Sequence, residues 1–357
     1  MFSSEEKKQY NRHFILSEIG ISGQEKLKNA KVLVVGAGGL GCPILQYLTA
    51  AGVGTIGIID NDVVAQSNLQ RQILFTTNDI GKPKVICAKE RLQQTNPFVT
   101  FKTHQSYLNS DNALALFNQY DVIVDGSDNF QTRYLTNDAA VLCNKPLVFG
   151  AIFKFEGQVS VFNYKNGPSY RCLFPEPPKA NSIPNCSDIG VLGVLPGIIG
   201  CYQANEVLKI ICGIGEVLSG KLLSLNTLNL QQNILNFKKN PSIIVEKLID
   251  YDFFCGIENN DSIEISTKQL KEKLAFEKVQ LIDVRKLMER ENLNIGGLHI
   301  PLHELHQKLE ELKNLDHLIF YCEVGQRSLI ATKIFLEKYP NKNAKSLTGG
   351  LQAWLKE

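Results

Sequence analysis

Residues 32–35, Val-Leu-Val-Val, pass directly into Gly36-Ala37-Gly38-Gly39-Leu40-Gly41 and then into an amphipathic stretch over 40–51. A chain with this order has to turn sharply out of a strand and into a helix with almost no side chains at the bend. Glycines there permit the tight turn and let a phosphate approach the backbone, where the helix N-terminus favours negative charge. A second apolar run, 55–59, ends at Asp60, where a carboxylate can bind ribose hydroxyls. Taken alone, the pattern fits any nucleotide- or dinucleotide-binding domain and does not choose between NAD and ATP.

The alternation continues. Further strands are expected over 99–103, 121–124 and 146–149, with helices over 82–94, 112–118 and 130–142, which predicts a mostly parallel sheet with helices on both faces. Residues 157–164 alternate like an antiparallel strand and 222–225 read as another, so an antiparallel extension is expected. The stretch 171–191 is rich in Pro, Asn and Ser and reads as a loop. At 357 residues the chain exceeds what one core usually serves. The composition shifts over 237–261, giving a first domain at 1–250, a linker at 251–261 and a smaller α/β domain at 262–357. That domain is expected to hold helices over 267–275, 302–312 and 329–339 and strands over 279–284, 318–321 and 344–347.

A net charge of +2 gives no basis for nucleic-acid binding. The most apolar stretch, 189–212, is interrupted by Gly193, Pro196, Gly197 and Gly200 and carries Asn205, Glu206 and Lys209, so it reads as a buried helix and not a membrane span. The charged first residues lack the apolar core of a signal peptide, and nine cysteines then imply a reducing compartment. A cytoplasmic enzyme is the expectation.

Three segments after Asp60 bear on the choice of nucleotide: Ser67-Asn68-Leu69-Gln70-Arg71-Gln72, Gly81-Lys82-Pro83-Lys84 and Asp125-Gly126-Ser127-Asp128-Asn129. Cations and amides clustered in this way suit a triphosphate, and an acidic group beside them suits magnesium; hydride transfer requires no such cluster. With Tyr10-Asn11-Arg12, these motifs in this order resemble the MoeB/ThiF family, bacterial relatives of ubiquitin-activating enzymes, through about residue 255. The resemblance implies a Rossmann-like fold and a role for each matching residue. Gly36, Gly38, Gly39 and Gly41 would cradle phosphate and Asp60 would bind ribose. Asn68, Arg71, Lys84 and Asn129 would bind ATP, and Asp128 would hold Mg2+. Arg12 would reach into a partner subunit, implying a homodimer.

Cys42, Cys87, Cys143, Cys201 and Cys212 fall in apolar segments and read as core residues. Cys186 sits in the segment where the family places a mobile cysteine, which in some relatives attacks the activated carrier or resolves a mixed intermediate. The family also usually carries two Cys-x-x-Cys pairs that bind structural zinc. Here those positions read Ser169-Tyr-Arg-Cys172 and Asp252-Phe-Phe-Cys255, so one cysteine of each pair is missing and no structural zinc is expected.

In the second domain the apolar run 318–321 leads into Cys322-Glu323-Val324-Gly325-Gln326-Arg327-Ser328 and then a helix. This puts a thiol among backbone amides at a helix N-terminus, where an anionic sulfur is favoured, with Arg327 adding positive charge. The loop resembles that of the rhodanese family, as do Asp283-Val-Arg285, 297–302 and the closing Gly349-Gly350-Leu-Gln-Ala-Trp354. Its length from Cys322 to Arg327 fits sulfur as cargo; related phosphatase loops are longer. Glu323 stands where relatives often have a basic residue, and its carboxylate would repel anionic thiosulfate.

The expected function is ATP-dependent adenylation of the C-terminal Gly-Gly carboxylate of a ubiquitin-fold sulfur-carrier protein, followed by sulfur transfer from a Cys322 persulfide to give a thiocarboxylate. Such a chain would draw sulfur from a persulfide donor such as a cysteine desulfurase and would serve molybdenum cofactor or thiamine biosynthesis. Two other readings stay open from the sequence: an adenylyltransferase that forms a thioester for protein conjugation, and an NAD-dependent oxidoreductase with a regulatory rhodanese module.

Overall fold

A computed structural model describes residues 1–178, 190–255, 263–276, 279–340 and 342–356. The chain divides into two compact units, Met1–Ile257 and Glu258–Glu357. Among the described residues no helix is long and apolar enough to cross a membrane.

The first unit is built on an eight-stranded sheet in the order β3-β2-β1-β4-β5-β6-β7-β8. Strands β1 (Lys31–Val35), β2 (Thr55–Ile59), β3 (Thr100–His104), β4 (Val122–Asp125) and β5 (Leu147–Phe153) run parallel. The antiparallel extension follows as β6 (Glu156–Phe162), β7 (Lys221–Asn226) and β8 (Gln231–Asn236). Because successive strand residues point to opposite faces, β1 feeds two cores. Val32 and Val34 pack with the helices Gly41–Ala51, Lys84–Thr95 and Val194–Cys212, through residues such as Leu45, Val85 and Leu195. Leu33 and Val35 pack on the other face with Phe117, Tyr134 and Phe149. Side chains this fully buried each stabilise the fold by roughly 1.5–3 kcal/mol, which is why the parallel strands read as continuous apolar runs.

Three features of this unit differ from the sequence expectation. The helices Ser4–Gln9, Asn11–Ile15 and Gly20–Asn29 precede β1, the first announced by a capping box in which Ser3 and Glu6 exchange side-chain and backbone bonds. Strand β8 has every residue exposed and no alternation to betray it; pairing with β7 alone defines it. The helical turn Tyr251–Phe254, inside the stretch expected as linker, packs Tyr251 and the adjacent Cys255 into the second core. Most of the loop expected over 171–191 lies outside the described residues.

The second unit is a five-stranded parallel sheet in the order β11-β10-β12-β13-β9, comprising β9 (Glu264–Ile265), β10 (Gln280–Asp283), β11 (Leu298–His299), β12 (Leu318–Tyr321) and β13 (Ala344–Leu347). Alternation again serves two faces. Ile282 and Phe320 join Leu305, Leu309, Ala331 and Phe335, while Leu281, Ile319 and Tyr321 join Leu270 and Leu347.

Candidate active sites

At the end of β1 the chain turns at Gly36, with φ +91°, and the Gly36 amide donates to the Ile59 carbonyl at 2.8 Å. A Cβ on Gly36 would stand 2.9 Å from the Gly126 carbonyl oxygen, and one on Gly41 would stand 2.1 Å from that of Gly36, so neither position accepts a side chain. The Gly126 amide donates to Val35 at 2.8 Å, fastening the turn after β4 beside the turn after β1. The glycine loop therefore lies where the strand order reverses, the crevice in which doubly wound sheets take their ligands.

The other residues expected at this site gather around that loop. Asp60 accepts from the Ala37 amide and the Asp62 amide, both at 2.8 Å, which ties the loop to the end of β2 and leaves further lone pairs available. Burial raises its carboxyl above the ordinary range, against the pull of the Ala37 amide and Lys84. Lys84 opens its helix nearly buried and donates to Asp62 at 2.9 Å. Asn68 shapes a short 3-10 turn: its side chain accepts from the Ala65 amide at 3.0 Å and its carbonyl from the amides of Arg71 and Gln72. That turn sets Arg71 and Gln72 over the glycines, with Arg71 Cγ 3.7 Å from the place a Cβ would take on Gly39 and Gln72 Nε2 3.7 Å from the one on Gly38. Gln72 is 4% exposed, yet its Oε1 has no partner among the described residues. A buried acceptor left open beside a glycine cradle is what a bound molecule with a hydrogen-bond donor, such as a hydroxyl or amino group, would satisfy.

The segment after β4 supplies the rest. Asp128 is exposed; Asn129 caps the helix Phe130–Leu142, its side chain accepting from the Thr132 amide at 2.9 Å. Asp125, absent from the sequence-derived set, is fully buried, and burial pushes its carboxyl up; Ser127 donates to it through backbone (2.9 Å) and hydroxyl (2.6 Å). Behind it Gln203 donates to the Asp125 carbonyl at 2.7 Å while its own Oε1 has no partner among the described residues. A strand-ending Asp followed by Gly-Ser was the available signal for Asp125; Gln203 lies on a distant helix and had none. Arg12 is exposed on Asn11–Ile15, next to Tyr10, whose ring lies against Gly52 at the far end of the helix that starts from the glycine loop, so the chain does not bring Arg12 to this site itself. A groove of about 570 Å³, lined by Ser22, Lys26, Asp121 and Ile210 among others, lies by the N-terminal ends of β1 and β4 and holds none of the site residues.

In the second unit β12 delivers Cys322 into a turn closed by Gly325, φ +91°, before the helix Gln326–Lys338, which starts three residues earlier than expected. The Gly325 amide donates to Cys322 Sγ at 3.2 Å and the Ser328 hydroxyl lies 3.5 Å from it; Ser328 is held by the Gly325 carbonyl (2.9 Å) and by Ser346 (2.9 Å). The thiol is wholly buried at the foot of this loop. The last helix, Gly350–Lys356, braces it from outside: the amides of Leu351 and Gln352 donate to the carbonyls of Cys322 and Glu323 at 2.8 and 3.0 Å. A Cβ on Gly350 would meet the Cys322 carbonyl oxygen at 2.4 Å, which accounts for the glycine pair in the closing motif. Both charged residues of the loop are ion-paired. Arg327 donates with both terminal nitrogens to Glu289, at 2.9 and 2.6 Å, and Glu323 accepts from Arg285 at 3.1 Å.

The remaining cysteines divide. Cys42, Cys87 and Cys212 are buried, Cys143 at the end of Phe130–Leu142 and Cys201 within Val194–Cys212 are only half-buried, and Cys186 lies outside the described residues. Among the described residues no group of three or more His, Cys, Asp or Glu could hold a metal ion. Cys172 is engaged by the Ser169 hydroxyl (3.5 Å) and the Asn240 amide (3.4 Å). Burial, helped by Asp252, pushes the Cys255 thiol up to about 11. Two cysteines with Ser169 and Asp252 are a poor match to the cysteine and histidine sets of structural zinc sites. The two segments are joined differently. Arg171 forks onto Asp138 with two 2.7 Å bonds, Tyr251 donates to the same carboxylate at 2.8 Å, and the guanidinium stacks 4.6 Å from the centre of Phe254.

Fold and sites together define a protein that couples a doubly wound domain, with a glycine loop and clustered cations, to a small parallel domain with a buried thiol loop. The chain belongs to the ThiF family, whose model matches residues 10–245, and carries a rhodanese-like domain at residues 266–357. It is 42% identical, over 99% of its length and 94% of the relative's, to a Mycobacterium tuberculosis protein named probable adenylyltransferase/sulfurtransferase MoeZ. A sulfur carrier protein adenylyltransferase from Thermus thermophilus is 49% identical over 72% of this chain and 99% of its own. The adenylyltransferase and sulfurtransferase MOCS3 of Drosophila yakuba is 40% identical over 97% of this chain and 82% of its own. Among solved structures, E. coli MccB crystallised with ATP shares the fold, with a TM-score of 0.59 at 24% identity over 66% of this chain and 74% of that one.

Proposed function

We propose that this chain adenylates the C-terminal glycine of a ubiquitin-fold sulfur carrier and then supplies the sulfur for a thiocarboxylate. The observation that carries this reading is that relatives named for both activities match 99% and 97% of the chain, and that a family model for each half matches its own part of it. In the first unit the glycine loop and Lys84 hold the triphosphate of ATP and Asp60 the ribose, while Asn68 and Asn129 orient it. Asp128 would hold Mg2+, whose charge would offset that of the triphosphate. The carrier carboxylate attacks the α-phosphorus, the α–β bond breaks and pyrophosphate leaves. Two anions have to meet for this, and Arg71 with Lys84 offsets the charge that builds between them. Arg12 enters the site of a second copy, making the enzyme a homodimer.

In the second unit Cys322 accepts sulfane sulfur from a persulfide donor of the cysteine desulfurase type. The terminal sulfur attacks the acyl carbon and AMP leaves. A second thiol, Cys186 or an external one, then attacks Cys322 Sγ, breaking the S–S bond and releasing the thiocarboxylate. Arg327 orients the loop through Glu289. The chemistry is that of the cytoplasm, where thiols stay reduced. The test is ATP–pyrophosphate exchange with a candidate carrier ending in Gly-Gly: exchange that depends on the carrier and is lost in Arg71→Ala and Asp128→Ala supports adenylation. NAD binding without exchange would end this reading.

The first unit does this without zinc, Arg171, Asp138 and Tyr251 joining the segments a metal would join. Metal analysis of purified protein should show no stoichiometric zinc, and chelators should leave its melting temperature unchanged. Arg171→Ala, which strands the buried Asp138 carboxylate, should cost roughly 3–5 kcal/mol of stability. Stoichiometric zinc, or a mutant as stable as wild type, would contradict this.

A further inference from the structure

Two guanidinium groups flank the thiol loop, and carboxylates of the protein occupy both. Arg285 is 1% exposed and directs its fork to Asp283 (Nε to Oδ1, 3.0 Å; Nη2 to Oδ2, 2.8 Å), to the Leu293 carbonyl (2.6 Å) and, through Nη1, to Glu323 Oε2 (3.1 Å). Arg327 gives both terminal nitrogens to Glu289. Asp283 is wholly buried and anchors Arg285 from outside the loop. Glu323 is unlike these anchors: it is the loop residue next to the thiol, and its side chain is 39% exposed. Without its carboxylate, one N–H arm of a rigid guanidinium, still fixed by three other bonds, would stand open at the rim of the loop. Such an arm is shaped to take an oxyanion.

We propose that Glu323 is a specificity-determining residue: by keeping that arm filled, it makes the loop discriminate against small oxyanionic sulfur donors and favour persulfides. The proposal rests on reading Cys322 as the sulfur-accepting thiol. With thiosulfate, the Cys322 thiolate attacks the sulfane sulfur, the Sγ–S bond forms, the S–S bond breaks and sulfite departs with the electron pair. Its sulfonate group has to sit at the rim while this happens. With a persulfide R–S–SH the same Sγ–S bond forms and the thiolate R–S⁻ departs, the proton passing to one of the sulfurs. No oxyanion has to be housed. The Glu323 carboxylate takes the sulfonate's hydrogen-bond donor and repels its charge; a persulfide requires neither.

The test uses the full chain and two probes, thiosulfate and glutathione persulfide, following the gain of one sulfur atom on Cys322 by mass spectrometry. In Glu323→Ala, which leaves the guanidinium arm without its acceptor, the ratio of kcat/KM for thiosulfate to that for persulfide should rise about tenfold or more, the gain expected when an open guanidinium arm bonds a charged acceptor, and a lower KM for thiosulfate should carry most of it. Glu323→Asp, which keeps the charge, should stay near the wild-type ratio. An unchanged ratio in Glu323→Ala, with persulfide still loading Cys322, overturns the proposal. So does loss of all loading in Glu323→Ala while Glu323→Asp behaves as wild type, because the residue would then hold the loop's shape and not its selectivity. If neither probe loads the wild-type chain, the reading of Cys322 itself falls.

Discussion

Both candidate sites stand where a parallel strand gives way to a helix, but they are assembled on opposite plans. The glycine loop contributes almost only backbone, and its chemistry is imported: Asp60 from the end of β2, Arg71 from a 3-10 turn, Lys84 from the start of a helix and Asp128 from beyond β4. The thiol loop carries its own reactive atom, the supporting amide and the hydroxyl within Cys322–Ser328, and its neighbouring charges are already neutralised in pairs. Ligand size accounts for the difference. A nucleotide and a protein terminus have to be gripped at several separated points, so Arg71 and Lys84 stand around a crevice, Lys84 paired with the exposed Asp62. One sulfur atom requires a buried notch, and free charge near it would only attract competing anions.

If the two plans serve two half-reactions, each should be separable from the other, and the largest effects come from removing the reactive group of one. Cys322→Ser should abolish sulfur transfer while leaving carrier-dependent ATP–pyrophosphate exchange within about twofold of wild type, because the electrostatic stabilisation of adenylation resides in the first unit. A loss of exchange in this variant would show that the sites are not independent. Arg71→Ala should do the converse. Exchange should fall by roughly 10²–10³-fold, the usual result of removing one preorganised partner of a developing charge, while persulfide loading of Cys322 persists.

The same contrast governs how much could be read from the sequence. The thiol loop is contiguous, so its strand, cysteine, glycine and helix were all legible in order. The glycine loop was equally plain, and its imported residues could be placed only through the ordered motifs that mark the family. What escaped was everything set by pairing across distance. Arg285 with Glu323 and Arg327 with Glu289 are each 38 residues apart, and Arg171 meets Asp138 across 33; no local periodicity announces such partners. Arg327, expected to lend its charge to the thiol, still interacts electrostatically with Cys322, but its hydrogen bonds go to Glu289, a partner the sequence did not announce. Strand β8 escaped for a related reason: with both faces open it has no hydrophobic alternation, and only its partner defines it.

The smallest effect probes those neutralised pairs. The hydrogen bonds from Arg327, and then the Lys286 amide, hold the Glu289 carboxyl down to about 2, against an ordinary value of 4.5 in the unfolded chain. A carboxyl whose folded value is depressed contributes stability that is fully present above the unfolded value and is lost as pH falls through the folded one. Glu289 and Arg327 are both about a third exposed, so solvent screening keeps the contribution to about 1 kcal/mol or less. Wild type should therefore exceed Glu289→Gln slightly in unfolding midpoint at pH 7, and the two curves should converge between about pH 4.5 and 2. A gap that stays constant down to pH 2 would mean that the pair contributes by shape and not by charge, and that the thiol loop is less dependent on neutralisation than the contrast between the two sites implies.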